Sequence, residues 1–138
     1  MKPVIECVRE YIMTFPELKD GSLLVDCLGG EAVAYMVETV PCDPIYKKYT
    51  DGGTQKQFKF IFASREYYGE NVNKNIENIG FYERFANWIA DNSLNEIYPD
   101  LDGRIPCSLE VVSGAYAYDT TANTAQYQMQ LMLIYEEE

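Results

Sequence analysis

The stretch YTDGGTQKQFKFIFASREYYG, residues 49–69, constrains the fold more than any other part of the chain. Residues 51–53 (DGG) are a strong turn signal, because glycine adopts the positive φ that tight hairpin turns need. In the run TQKQFKFIFASRE that follows, Phe58, Phe60 and Phe62 point to one side of an extended strand. With IYKKYT before the turn, the stretch predicts a β-hairpin whose second strand buries a phenylalanine-rich face.

The next segment, NVNKNIENIGFYERFANWIADNS, has the spacing of an amphipathic helix. Its apolar residues recur at steps of three and four and so share one helical face. The residues of this predicted stripe are Val72, Ile76, Ile79, Tyr82, Phe85 and Ile89. We expect the helix to cover the phenylalanine face, with Trp88 at the edge of the core. Gly80 weakens the helix by about 1 kcal/mol relative to alanine. It indicates either a bend or the close approach of another backbone.

The rest of the chain predicts a short helix and further strands. Pro3 and Pro16 bound an amphipathic helix near the N-terminus. The run AVAYMVETV alternates like a strand with one wetter face. SLEVVSGAYAYD and TAQYQMQLMLIY predict two strands joined by DTTANT, with a candidate bulge at Gly114. The second of these strands alternates Tyr127, Met129, Leu131, Leu133 and Tyr135 against glutamines.

These elements combine into one α+β domain over residues 1–138. We expect an antiparallel β-sheet with an N-terminal helix and a long central helix packed on one face. A chain of 138 residues with 47% hydrophobic residues is long and apolar enough to bury a core.

No residue pattern indicates catalysis. The chain contains no histidine, so serine and cysteine nucleophiles lack their usual base, and no phosphate loop or dinucleotide fingerprint occurs. The four cysteines are scattered, which disfavours a zinc site and predicts free, reduced thiols. They are Cys7, Cys27, Cys42 and Cys107. Asp100, Asp102 and Gly103 match only part of a calcium loop. We therefore expect no enzyme activity, no cofactor and no bound metal.

The acidic surplus limits the partners of this chain. Its 22 acidic and 11 basic side chains give a net charge of -11, which repels phosphate backbones and disfavours non-specific nucleic-acid binding. Such a charge fits a solubilising surface or a surface that faces DNA without holding it. The start, MKPVIECVREYIM, lacks the apolar core of a secretory signal. No run reaches the roughly 20 apolar residues of a membrane span, so we expect a protein made in a cytoplasm, with no membrane partner.

Three stretches carry a resemblance to a known family: YTDGGTQKQFKFIFASREYYGENV, NIENIGFYERFANWI and SGAYAYDTTANTAQYQMQLMLIYEE. The chain resembles the minor capsid or tail-terminator proteins of long-tailed phages and prophages of Gram-positive bacteria. The resemblance implies a structural α+β subunit made in the bacterial host cytoplasm. It also implies a ring, often of six copies, at the head-proximal end of the tail in the virion.

The implied partners are other copies of the chain, the tail tube protein and a head-completion or connector protein, while DNA passes through the ring without specific binding. The resemblance supplies no catalytic residues. From its place at a strand end, the pair Tyr67 and Tyr68 with nearby Arg65 is a candidate subunit contact; ordinary packing at a loop is the alternative. Two other functions stay open: an acidic inhibitor that mimics DNA, and a small-molecule-binding protein.

Overall fold

The computed structural model describes residues 2–18, 23–25, 34–48, 53–67, 72–120 and 124–137. These residues form two helices and six strands. In chain order they are α1 (Val4–Ile12), β1 (Leu23–Val25), β2 (Ala34–Val40), β3 (Ile45–Lys48), β4 (Thr54–Tyr67), α2 (Val72–Leu94), β5 (Ile105–Thr120) and β6 (Thr124–Glu137).

The strands form one sheet in the order β1-β2-β4-β6-β5, and β3 pairs with the start of β4. All neighbouring pairs are antiparallel except β1 and β2, which run parallel. Both helices contribute to one core cluster with the inner face of the sheet. The predicted α+β fold, with both helices packed against a mainly antiparallel sheet, is therefore confirmed; the parallel β1–β2 pair was not predicted.

The predicted hairpin is present as the β3–β4 pair, in which Lys48 is opposite Thr54. Residues 49–52 of its turn lie outside the described part of the chain. Phe60 and Phe62 are buried on the inner face of β4, and Phe58 packs partly buried at its margin. The alternation read from the sequence therefore gives the correct inner face.

The helices cover this face through aromatic contacts. The rings of Phe85 and Phe62 stack with centroids 4.5 Å apart. Phe15, which follows α1, meets Phe85 edge-on at 5.2 Å. Trp88 is partly buried between Phe85 and Tyr11, as predicted for the edge of the core. Aromatic pairs of this kind contribute about 0.5–1.5 kcal/mol beyond the area that they bury.

The predicted stripe on α2 is correct in its second half and wrong in its first. Tyr82, Phe85 and Ile89 are buried, but Ile76 is 62% exposed and Ile79 is 40% exposed. Ile76 and Phe85 are nine positions apart. At 3.6 residues per turn, this spacing places them about 180° apart around the helix. The positions that face inward in this half are occupied by Asn78 and Phe81. The side chain of Val72 is outside the described part of the structure.

Gly80 does not mark a close approach of another backbone. A Cβ atom built at this glycine would meet Arg84 Nη1 of the same helix at 3.1 Å, and among the described residues no backbone atom of another element lies within 4 Å of it.

The last two strands follow their predicted pattern. Along β6 the alternating residues are all buried: Tyr127, Met129, Leu131, Leu133 and Tyr135. Against β6, the register of β5 shifts at several points, one of them between Ser113 and Tyr116, so the predicted bulge at Gly114 is confirmed. Residues 121–123 of the connecting loop lie outside the described residues.

A buried hydrogen-bond chain joins α2 to the sheet. The Tyr82 hydroxyl donates to the Tyr127 carbonyl oxygen at 3.1 Å. Its oxygen also lies within hydrogen-bond distance of the Ser64 hydroxyl oxygen, at 2.6 Å. Burial raises the pKa of Tyr82 well above its ordinary value, because the phenolate would lose its hydration. The network therefore holds a neutral tyrosine in the core.

Candidate subunit interface

The predicted contact residues belong to the end of β4 that meets the start of β6. Arg65 pairs with Gln126 and is half-buried on the sheet face opposite the helices. Tyr67 is the last residue of β4, and its backbone partner is Thr124. Tyr68 lies outside the described residues. The structure brings Arg65 and Tyr67 to the same end of the sheet, and their role as subunit contacts stays a prediction.

Helix α2 carries a second stripe on the side away from Phe85. We call it the outer stripe: Ile76, Ile79, Glu83, Ala86, Ala90 and Leu94. Ile76 is 62% exposed and Leu94 is 83% exposed. Single exposed apolar residues are ordinary, but this set keeps helical spacing over about five turns and lies on one side of the helix. Glu83 interrupts the stripe and Ala86 is partly buried, but the exposed apolar residues on this side of the helix make it a candidate protein contact.

The C-terminal half of the outer stripe forms one wall of an apolar groove of about 620 Å³. This α2–β5 groove is lined by Ala86, Ile89, Ala90, Ser93 and Leu94 on α2 and by Leu109, Glu110 and Val111 on β5. The Ser93 hydroxyl donates to the Leu109 carbonyl oxygen at 3.1 Å, which fixes the two walls together. Strand β5 ends the strand order, so one of its edges pairs with no other strand of the described chain.

A second cavity of about 510 Å³ continues the surface toward the start of α2. It is lined by Asn75, Ile76, Ile79, Gly80 and Glu83. The two cavities together follow the outer stripe from its first residue to its last. Glu83 and Glu110 are both exposed, and no described residue that lines either cavity is basic. The surface therefore combines apolar residues with exposed Glu83 in the stripe itself and Glu110 on β5.

Strand β3 presents a different exposed surface. All four of its residues are exposed, among them Tyr46 at 53%. The backbone N–H of Gln57 donates to the Pro44 carbonyl oxygen at 3.0 Å, and the Gln57 side-chain amide donates to the Asp43 carbonyl oxygen at 2.7 Å. These bonds fix the chain where it enters β3. The sequence IYKK thus displays two apolar and two basic side chains on a segment already held as a strand.

These two surfaces belong to opposite edges of the sheet. Lys56 of β4 pairs with Ile45 of β3 on one side and with Tyr135 of β6 on the other. Tyr135 in turn pairs with Pro106 of β5. Three strand spacings of about 4.8 Å separate β3 from β5, or about 14 Å. The molecule therefore carries a lysine-bearing strand at one edge of the sheet and a mainly apolar groove at the other.

Charge is distributed unevenly over the molecule. The exposed carboxylates of α1 and α2 include Glu6, Glu10, Glu77, Glu83 and Asp91. Arg84, also exposed, donates from Nε to Glu17 Oε1 at 2.7 Å, and Lys2 Nζ lies 3.2 Å from Glu10 Oε1. The helical layer is consequently rich in carboxylates, whereas β3 and the start of β4 carry Lys47, Lys48 and Lys56.

A smaller polar cavity of about 320 Å³ lies between α2 and the sheet. Its lining includes Glu17, Glu66, Glu77 and Arg84. Three carboxylates and one arginine, which is paired with Glu17, make the described lining of this cavity acidic.

Cys7, Cys42 and Cys107 are free thiols; Cys27 lies outside the described residues. Among the described residues, no group of three histidine, cysteine, aspartate or glutamate side chains could hold a metal ion. At the predicted partial calcium loop, Asp102 Oδ2 accepts a hydrogen bond from the Lys2 backbone N–H at 2.7 Å. Asp100 Oδ1 accepts one from the Asp102 backbone N–H at 3.1 Å. Asp102 thus ties the loop to the chain before α1, while Asp100 closes a turn within the loop.

No protein-family model matches this chain, and no curated protein matches its sequence. In the part of the chain that the structure describes, no helix is both long and apolar enough to span a membrane.

The apolar periodicity of the sequence does not by itself reveal the outer stripe or β3 as exposed surfaces. Ile76 and Ile79 are apolar and fall near the helical spacing of Tyr82, so periodicity alone predicts that they are buried. The signal that separates the two stripes is the pair Phe81 and Tyr82, which with Phe85 defines an aromatic face rotated away from Ile76. In β3, the adjacent lysines were a sign that neither side of the strand is buried.

Proposed function

We propose that this protein is a structural component of a long-tailed phage or prophage, and that identical copies form a ring that caps the tail tube. The ring ends growth of the tube and presents a joining surface to the head. It acts in the virion at the head-proximal end of the tail, after synthesis in the host cytoplasm. Its partners are copies of itself, the tail tube protein and a head-completion or connector protein.

The observation that carries this proposal is the pair of unlike surfaces on opposite edges of one sheet. The α2–β5 groove is mainly apolar and has no basic residue in its described lining, whereas β3 displays two lysines beside Ile45 and Tyr46. Two unlike surfaces on opposite sides favour head-to-tail contacts, which close into a ring when the rotation between copies allows it. The resemblance to tail-terminator proteins selects a ring at the tail end among the assemblies that such contacts permit.

The acidic surface supports the same proposal. DNA that passes through a ring must not be held by its phosphates, and exposed carboxylates repel it. The helical layer carries such carboxylates, including Glu77 and Asp91 on α2. On this proposal the protein has no enzymatic activity and needs no cofactor.

Deletion of the gene from a phage that carries it tests the proposal. We expect tails of uncontrolled length, or tails that do not join to filled heads, and restoration of normal particles when the gene is supplied in trans. Normal virions with normal tail lengths in the deletion strain would refute the function.

The acidic helical layer also favours a second candidate, an inhibitor that mimics DNA. Such an inhibitor arrays carboxylates along one surface, yet here Arg84 and Lys2 interrupt the array by pairing with Glu17 and Glu10. The two functions differ in location, since a DNA mimic acts in the infected cell whereas a tail terminator is retained in purified virions. Mass spectrometry of purified virions distinguishes them.

A further inference from the structure

No further inference is drawn: the strongest candidate, the outer stripe of α2 with the apolar α2–β5 groove beside it, is an exposed apolar face, and nothing in the described part of the structure shows what covers it.

Discussion

Replacement of Phe85 by alanine is the most informative perturbation of the fold. Phe85 is fully buried, stacks on Phe62 at 4.5 Å and meets Phe15 edge-on at 5.2 Å. The same residue therefore joins α2 both to the sheet and to the segment after α1. Its removal tests whether the inner stripe of α2 is the structural core.

The expected loss of unfolding free energy is about 3–5 kcal/mol, the range for Phe→Ala in a core. We expect the upper half of this range, because Phe62 and Ile89 around the site are themselves buried and leave little room for collapse. Domains of this size are stable by about 5–15 kcal/mol, so the variant stays folded or becomes marginal. Phe85→Leu keeps most of the volume and should lose less than half as much.

Urea denaturation followed by circular dichroism measures these losses. Ile76→Ala is the matched control on the same helix, since Ile76 is 62% exposed. It should change stability by no more than about 0.5 kcal/mol, as exposed substitutions do. A loss below about 1 kcal/mol for Phe85→Ala, or a loss above about 2 kcal/mol for Ile76→Ala, would show that the inner face of α2 has been assigned wrongly.

Three further predictions follow from individual residues. Burial raises the pKa of Tyr82, so above about pH 10 the tyrosine loses its proton in the unfolded state but keeps it in the folded state. The free energy of unfolding should therefore fall as the pH rises above about 10. In urea melts at different pH, Tyr82→Phe should lessen this fall. Gly80→Ala should stabilise the protein by about 0.5–1 kcal/mol in thermal melts, because alanine favours the helix more than glycine does. The new Cβ would have to displace only the end of the Arg84 side chain. A loss of stability would indicate strain. In an Ellman titration, Cys42 and Cys107 should react before Cys7, because Cys7 is buried and desolvation raises the pKa of its thiol. All four thiols should react after unfolding. Stoichiometric zinc in elemental analysis would contradict the reduced, metal-free state.

The hairpin and β6 could be predicted from sequence because both depend on local periodicity. The DGG signal in the sequence predicts where β3 and β4 meet, and alternation predicts which face is buried, as Phe60, Phe62 and Leu131 show. The buried face of α2 is harder to predict from the sequence. An amphipathic helix with apolar residues on two sides has two possible inner faces, and only contacts distant in sequence decide between them. Here Phe62 and Phe15 select the aromatic face.

The parallel β1–β2 pair and the candidate interface depend on tertiary structure even more strongly. Arg9 Nε donates to the Leu23 carbonyl oxygen at 2.7 Å, a contact that ties α1 to β1 and that no local pattern predicts. The α2–β5 groove joins residues about 20 positions apart in sequence, such as Ala90 and Leu109. Arg65 and Tyr67 are predicted subunit contacts only because they lie at a strand end. That local signal does not show which edge of the sheet meets a partner.

Cryo-electron microscopy of the neck of a phage that carries this gene tests the central claim most directly. We predict one closed ring of this chain between the last layer of the tail tube and the head connector, with the sheet and two helices of each copy fitted in its density. Absence of the chain from the virion, or its presence only elsewhere in the particle, would contradict the proposed function.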